Sequence, residues 1–228
     1  MNAIPAASRD PSTFGDMGKW YGRSLYRFLD KEEFAVAFTR GSFRLSTLRR
    51  CRGYENAQQG DPSEGSETYF SGEASSGDPH FETVARRSGI PVTPGVHTTL
   101  RYNTTRRTLL DAFLLCLTSE FDPERFAKDF GSCCVEITDA GKFFDIVCDH
   151  LRVVRPDWLQ AAMGSVIYAM PTYKGLEEPP GPLGLVKWTR FNWQKEARMV
   201  WSISPLLRPL NPLDICVPEV APLIRRLR

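Results

Sequence analysis

The chain has 228 residues, 42% hydrophobic and 25% charged, which is enough apolar material for one core and too much for a chain disordered throughout. No apolar run approaches the ~20 residues of a membrane-spanning helix. The formal charge of +2 hides a skew, because arginine supplies 22 of the 29 basic residues and clusters at Arg49/Arg50/Arg52, Arg86/Arg87 and Arg106/Arg107; arginine is the preferred fork for phosphate, although such clusters also serve as ordinary solvated surface.

Met1 to Gly18 is polar and rich in Ser, Pro and Gly, with no basic region leading into an apolar stretch. It reads as a loose arm, extending to residue 22, rather than as a secretory signal. Residues 23–228 then read as a single domain. Ser24 to Leu29 has the content of a strand, with Arg27 opposite Tyr26 and Phe28 at period two. Asp30 is placed to cap a helix, with Glu33 three residues on, Phe34 and Phe38 on one face and Gly41 as terminator. Ser42 to Thr47 is a second strand in which Phe43 and Leu45 alternate with polar neighbours.

From Arg49 to about Leu109 turn chemistry dominates: Gly60-Asp61-Pro62, Gly65, and Ser71 through Pro79. The stretch predicts a long polar excursion outside the compact core. Within it Asp61, Glu64 and Glu67 stand beside Arg49, Arg50 and Arg52, either as a solvated acidic turn or as a gate over a site.

Order returns with the apolar strand Ala112 to Leu117, a helix opened by Asp122-Pro123-Glu124 and ended by Gly131, a strand from Cys133 to Thr138, and a helix over Ala140 to Leu151 carrying Phe143, Phe144 and Val147. Gly164 to Ala169, Gly184 to Trp188 and Ala197 to Ser204 are further strand candidates, and Val217 to Arg228 reads as a short basic helix. Strands do not alternate strictly with long helices, so the predicted class is α+β: a mixed or split, mainly antiparallel sheet flanked by short helices. Four of the six cysteines lie in apolar runs and read as reduced packing residues. With no C-x-x-C pair and only three scattered histidines, no metal site is predicted.

The Walker, dinucleotide-fingerprint, nucleophile-elbow and H-E-x-x-H motifs are absent. Three polar elements on predicted strands remain: Tyr26-Arg27 on the first, Ser46-Thr47 ending the second, and Gln194-Lys195-Glu196 leading into the last. Each has an ordinary use: a structural ion pair for Arg27, a cap or turn for Ser46 and Thr47, an exposed strand face for Gln194 and Glu196.

In this order, however, they resemble the mono-ADP-ribosyltransferase superfamily, in the branch that combines a strand Arg, a Ser-Thr strand and a Gln-x-Glu pair. Most of the chain is also similar to a group of poorly characterised bacterial domains, through Leu25 to Phe28, Gly60-Asp61-Pro62-Ser63-Glu64-Gly65, Phe113 to Thr118, and Lys187-Trp188 with Glu196-Ala197-Arg198. The resemblance implies an ADP-ribosyltransferase-like fold and NAD as co-substrate, without metal. Glu196 and Gln194 would be catalytic, and Arg27, Tyr26, Ser46 and Thr47 would bind the cofactor. The acceptor it implies is a protein, RNA or DNA in the cytoplasm, with no membrane involved, in the setting of a bacterial toxin or phage-defence effector. The other reading of the same residues is a non-catalytic nucleic-acid or protein-binding module that uses the arginine clusters.

Overall fold

The computed structural model describes residues 17–53, 60–203 and 210–227. The first half contributes β1 (Leu25–Leu29), α1 (Glu32–Thr39), β2 (Ser42–Thr47), α2 (Leu48–Arg52), β3 (Ser66–Phe70), β4 (Glu73–Ser75), α3 (Phe81–Arg87), β5 (Thr99–Arg101), β6 (Thr104–Thr108) and β7 (Ala112–Thr118). The second half adds α4 (Pro123–Phe130), β8 (Cys133–Ile137), α5 (Ala140–Val154), β9 (Trp158–Ser165), β10 (Ile167–Tyr168), β11 (Thr172–Lys174), β12 (Val186–Lys187), β13 (Glu196–Ile203), β14 (Leu213–Cys216) and β15 (Ile224–Arg226). The class is α+β, with mainly antiparallel sheets and short helices in one domain.

The main sheet is organised by β7, whose residues are buried except for half-buried Cys116. Such a continuous apolar run suits a strand covered on both faces. One edge of β7 pairs along its length with β13, from Glu196↔Thr118 to Ser202↔Ala112, and β9 lies beyond β13. The other edge is divided. β1 joins it only at Tyr26↔Thr118, and β2 only at Ser46↔Leu114 and Thr47↔Phe113. Leu115, Cys116 and Leu117 therefore face a gap between two diverging strands. β8 and β15 continue the sheet beyond β1, and β14 continues it beyond β2.

The core lies between this sheet and α5. Leu25, Leu45, Phe113, Leu115, Val135, Met199 and Trp201 meet Phe143, Phe144 and Val147 there. Phe144 stacks on Trp201 at 5.5 Å, and the Trp201 indole donates to Cys148 Sγ at 3.2 Å. Gly131 ends α4 and Gly41 follows α1, both at positive φ, as expected for helix-terminating glycines.

Several expectations are corrected. Residues 17–22 are not loose: a 3-10 turn (Met17–Trp20) buries Trp20 in the core, and the Tyr21 hydroxyl donates to Asp145 on α5. Residues 1–16 lie outside the described residues. The α1 N-cap is Lys31 rather than Asp30, and Phe34 is 46% exposed while Phe38 is buried.

The described residues of the polar excursion are folded. β3 pairs with β6 and β11, and β4, β5 and α3 enclose a second small core of Ala74, Phe81, Val84, Ala85 and Leu100. Strand β9 extends much further toward the N-terminus than the Gly164 to Ala169 expectation, because its small residues carry little periodic signal. The tail is no regular helix. Pro218 and Pro222 confine it to a 3-10 turn, and Ile224–Arg226 then pairs with β8.

Gly131 has φ 109°, and a Cβ there would overlap the Leu29 carbonyl where α4 turns back against β1. Gly131→Ala combines backbone strain with overpacking and is expected to cost on the order of 3 kcal/mol, read as a lower urea midpoint with an unchanged slope.

Candidate active-site cleft

Where β1 and β2 part along β7 the structure forms a cleft of about 970 Å³. Tyr26, Arg27, Ser46, Gln194 and Glu196 all line it. Thr47, expected beside Ser46, does not: it is 1% exposed, and its hydroxyl accepts the Arg50 amide at 3.1 Å, capping α2. Alternation along β2 explains the division, since neighbouring strand residues point to opposite faces.

Arg27 stands at the fork itself. Its Nη1 donates to the Cys116 carbonyl at 2.7 Å, a peptide group at the point where β1 has left β7. The guanidinium thus satisfies backbone that no strand covers, while its side chain lines the opening.

The floor is a buried charge cluster. Arg198 is 1% exposed, and its Nε donates to Glu196 Oε1 at 2.6 Å, its Nη2 to Oε2 at 3.2 Å and its Nη1 to the Gly184 carbonyl at 2.7 Å. Lys187 Nζ donates to the same Glu196 Oε2 at 3.0 Å and to Gln194 Oε1 at 2.8 Å, and it lies 4.7 Å from the Phe191 ring. Glu64 reaches the cluster from the loop before β3. Its Oε1 is in ion-pair contact with Arg198 Nη1, although outside hydrogen-bond alignment. Two carboxylates thus meet two cations, away from water.

Their environments push the carboxyls apart. Burial opposes ionisation of Glu196, but Arg198 and Lys187 override it and hold this group well below the usual carboxylate range. For Glu64 burial prevails over the same two cations, and the nearby Glu196 adds to it, so its pKa is raised.

Gln194 and Glu196 converge by a route other than the one expected. Gln194 ends a 3-10 turn (Thr189–Gln194), and Lys195 adopts a left-handed φ of 43° before β13 begins at Glu196. They do not share a continuous strand; both reach Lys187 because the turn folds them around it. The turn is held by Trp193, which packs on Phe126 at 5.6 Å and Phe130 at 5.9 Å, and by the Thr118 hydroxyl donating to the Gln194 carbonyl at 2.8 Å. The Glu196 amide in turn donates to the Tyr168 hydroxyl at 2.7 Å. Phe28, Phe126 and Phe130 line the far wall.

Two ordinary readings are overturned. Glu196 does not sit on an exposed strand face, being 6% exposed. The acidic turn is not solvated either, because Asp61, Glu64 and Glu67 are each under 5% exposed. Glu67 instead pairs with Arg107 and accepts from the Tyr173 hydroxyl. Arg52, which stands beside these carboxylates in the sequence, donates to the Glu64 and Leu109 carbonyls.

Lys187 and Arg198 belong to the sequence motifs but carry no role that the sequence assigns. The signal for Arg198 is its i+2 spacing from Glu196 at the head of an apolar strand, which puts both on one face. Glu64 stands out in the sequence only as one of three loop carboxylates, and nothing local separates it from Asp61 and Glu67. Among the described residues no group of acidic, cysteine or histidine side chains is arranged to hold a metal. No protein-family model, curated protein or solved structure matches this chain.

Removing one partner of a buried pair strands the other charge. Glu196→Gln is expected to cost on the order of 3–5 kcal/mol at neutral pH, and Glu64→Gln clearly less, since burial already favours its neutral form. Urea midpoints of the two variants check the order. The Glu196 pKa is depressed on folding, so its contribution is complete above the ordinary carboxyl value of 4.5 and fades as pH falls below it. The stability gap between wild type and Glu196→Gln should accordingly narrow in acid.

Proposed function

We propose that the cleft binds NAD and that the protein is an ADP-ribosyltransferase-like enzyme acting on a protein or nucleic-acid acceptor in the cytoplasm, in the setting of a toxin or antiviral-defence protein. The observation that carries this reading is the convergence of Arg27, Ser46, Gln194 and Glu196, from four separate elements, on one cleft. Its volume of about 970 Å³ stands at the upper end of the roughly 300–1,000 Å³ of small-molecule sites, room for a dinucleotide rather than a fragment.

The chemistry asks for three things, and the cleft offers a group for each. Arg27, at the fork, is a fork-shaped donor for a pyrophosphate oxygen. Ser46 offers a hydroxyl to the nicotinamide half. Glu196 supplies a negative charge where cleavage of the ribose–nicotinamide bond leaves oxocarbenium character on the sugar. Nicotinamide departs with the bonding pair, and the acceptor's lone pair closes on the same carbon. Because Arg198 and Lys187 already engage both carboxylate oxygens, Glu196 acts as a fixed, preoriented charge, the arrangement in which electrostatic stabilisation is most effective. Gln194 orients the acceptor from the same cation.

The arginine clusters give the binding-module reading less support. Arg52 and Arg87 are turned to backbone carbonyls, and Arg107 to Glu67 and Tyr173.

Calorimetric titration with NAD and release of nicotinamide test the proposal. Ser46→Ala is expected to weaken NAD binding by about tenfold, the value of roughly one hydrogen bond. Glu196→Gln, assayed where circular dichroism shows it folded, should lower nicotinamide release by about 10²–10³ with NAD affinity nearly retained. A wild-type protein that neither binds NAD nor releases nicotinamide overturns the reading.

A further inference from the structure

The chemistry proposed for the cleft leaves one proton without a destination. When the acceptor's lone pair closes on the ribose carbon, an acceptor atom that carries hydrogen has to hand it to a base. Glu196 is poorly placed to take it, because its Oε1 accepts from Arg198 and its Oε2 from both Arg198 and Lys187. Three other carboxyls along the cleft are set apart from this floor. Asp214 is held by Arg44 at 2.7 and 2.8 Å, and Asp30 and Asp129 stand on the turn before α1 and in α4. Glu64 is the carboxyl that lines the cleft and meets the same arginine as Glu196.

The backbone that carries Glu64 is clamped. Its amide donates to the Asp61 carbonyl at 2.9 Å, its carbonyl accepts Arg52 Nε from α2 at 2.7 Å, and Asp61 Oδ1 accepts the Ser63 amide at 2.9 Å. The side chain is 1% exposed, so its direction is fixed by its surroundings. Arg198 keeps the two carboxyls apart. Its Nε and Nη2 hold Glu196, whereas Nη1, already donating to the Gly184 carbonyl, meets Glu64 Oε1 outside hydrogen-bond alignment. Glu64 therefore has a carboxyl oxygen with no aligned donor, where Glu196 has none to spare. The charged and titratable groups facing it are Arg198 and Glu196 on β13, Lys187 on β12, and Cys51 and Arg52 on α2. Burial raises the Glu64 pKa over the opposing Arg198 and Lys187, with Glu196 adding to the rise, and this moves the group toward the neutral range in which a general base is most effective.

We propose that Glu64 is the general base of the cleft, and that the acceptor it serves is a nucleophile still carrying its proton, a hydroxyl, thiol or N–H, rather than a carboxylate or phosphate anion. The inference rests on the transferase reading and adds a proton path to it. The acceptor atom forms its bond to the ribose carbon as the bond to nicotinamide breaks with its electron pair; the acceptor's proton passes to the Glu64 carboxylate and from there to solvent. Glu64 and Glu196 together disfavour an anionic nucleophile, so the same pair that needs a proton-bearing acceptor also selects for one.

Glu64→Gln removes the base and keeps the volume. Nicotinamide release from NAD, with water as the acceptor, is followed across the pH range in which circular dichroism shows both proteins folded. The wild-type rate should fall in acid along a limb above the ordinary carboxyl value of 4.5, because the base acts only when ionised. Glu64→Gln should lack that limb and reach a plateau about 10²-fold lower. Sodium azide has no proton to lose. It should restore nicotinamide release in Glu64→Gln by forming ADP-ribosyl azide, and do little for wild type or for Glu196→Gln. A Glu64→Gln protein that keeps the wild-type rate or the acid limb overturns the proposal while leaving the transferase reading in place. So does an equal deficit with water and with azide in folded protein, the mark of a merely structural role. A wild type that releases no nicotinamide removes the transferase reading itself, and this inference with it.

Discussion

A guanidinium buried to 1% exposure is the constraint around which this molecule is arranged. Arg198 sits on β13, beside the most deeply covered strand of the sheet, where an unpaired charge would be prohibitively unfavourable. Three separate segments are drawn in to answer it: Glu196 from its own strand, Glu64 from the loop before β3, and the Gly184 carbonyl from the segment before β12. With two carboxylates committed, a second cation is required, and Lys187 supplies it. The same set of pairs therefore anchors the folded insertion to the sheet, fixes the turn that carries Gln194 and builds the charged floor of the cleft. Ion clusters of this kind contribute little net stability compared with an apolar replacement, but they penalise every arrangement in which one member is missing.

The cleft itself follows from a second constraint, the unequal pairing of the two edges of β7. On one side β13 covers the strand completely; on the other, β1 and β2 hold only its ends. The uncovered backbone has to be satisfied by something other than a strand, and Arg27 does this at the Cys116 carbonyl. The walls then differ in character. Phe28, Phe126 and Phe130 form an aromatic side, and Ser46, Cys51, Cys116 and Glu196 a polar one. That contrast suits a ligand with a flat apolar part and a charged part.

Several features were legible in the chain because local forces determine them. Ser42 to Thr47 alternates strictly and is a strand over those same residues; Asp122-Pro123 opens α4 with the Asp122 side chain accepting the Arg125 amide, as its composition suggests. The six apolar residues of β7, Ala112 to Leu117, could hardly lie anywhere but inside. Arg27, Ser46 and Glu196 could be named as residue types suited to one chemistry. Thr47 could not be told from Ser46 by type, and only the strand's alternation, followed by the start of α2, assigns it to a cap. For Asp61, Glu64 and Glu67 the chain leaves a solvated turn and a covered site equally open, because turn-forming sequence looks the same whether water or protein surrounds it.

By itself, then, the sequence determined the class of fold, the elements β1, β2, β7, β8, β13, α1, α4 and α5, and the residue types from which a site could be made, since these depend on side-chain periodicity and on hydrogen bonds between near neighbours. Tertiary structure alone decided that β1 and β2 part along β7, that Glu64 lies against Arg198, and that Lys187 holds Gln194 and Glu196 together. Each of those outcomes joins groups from separate elements, and it is settled by which buried charges and uncovered peptide groups must be satisfied together. No local pattern records that requirement.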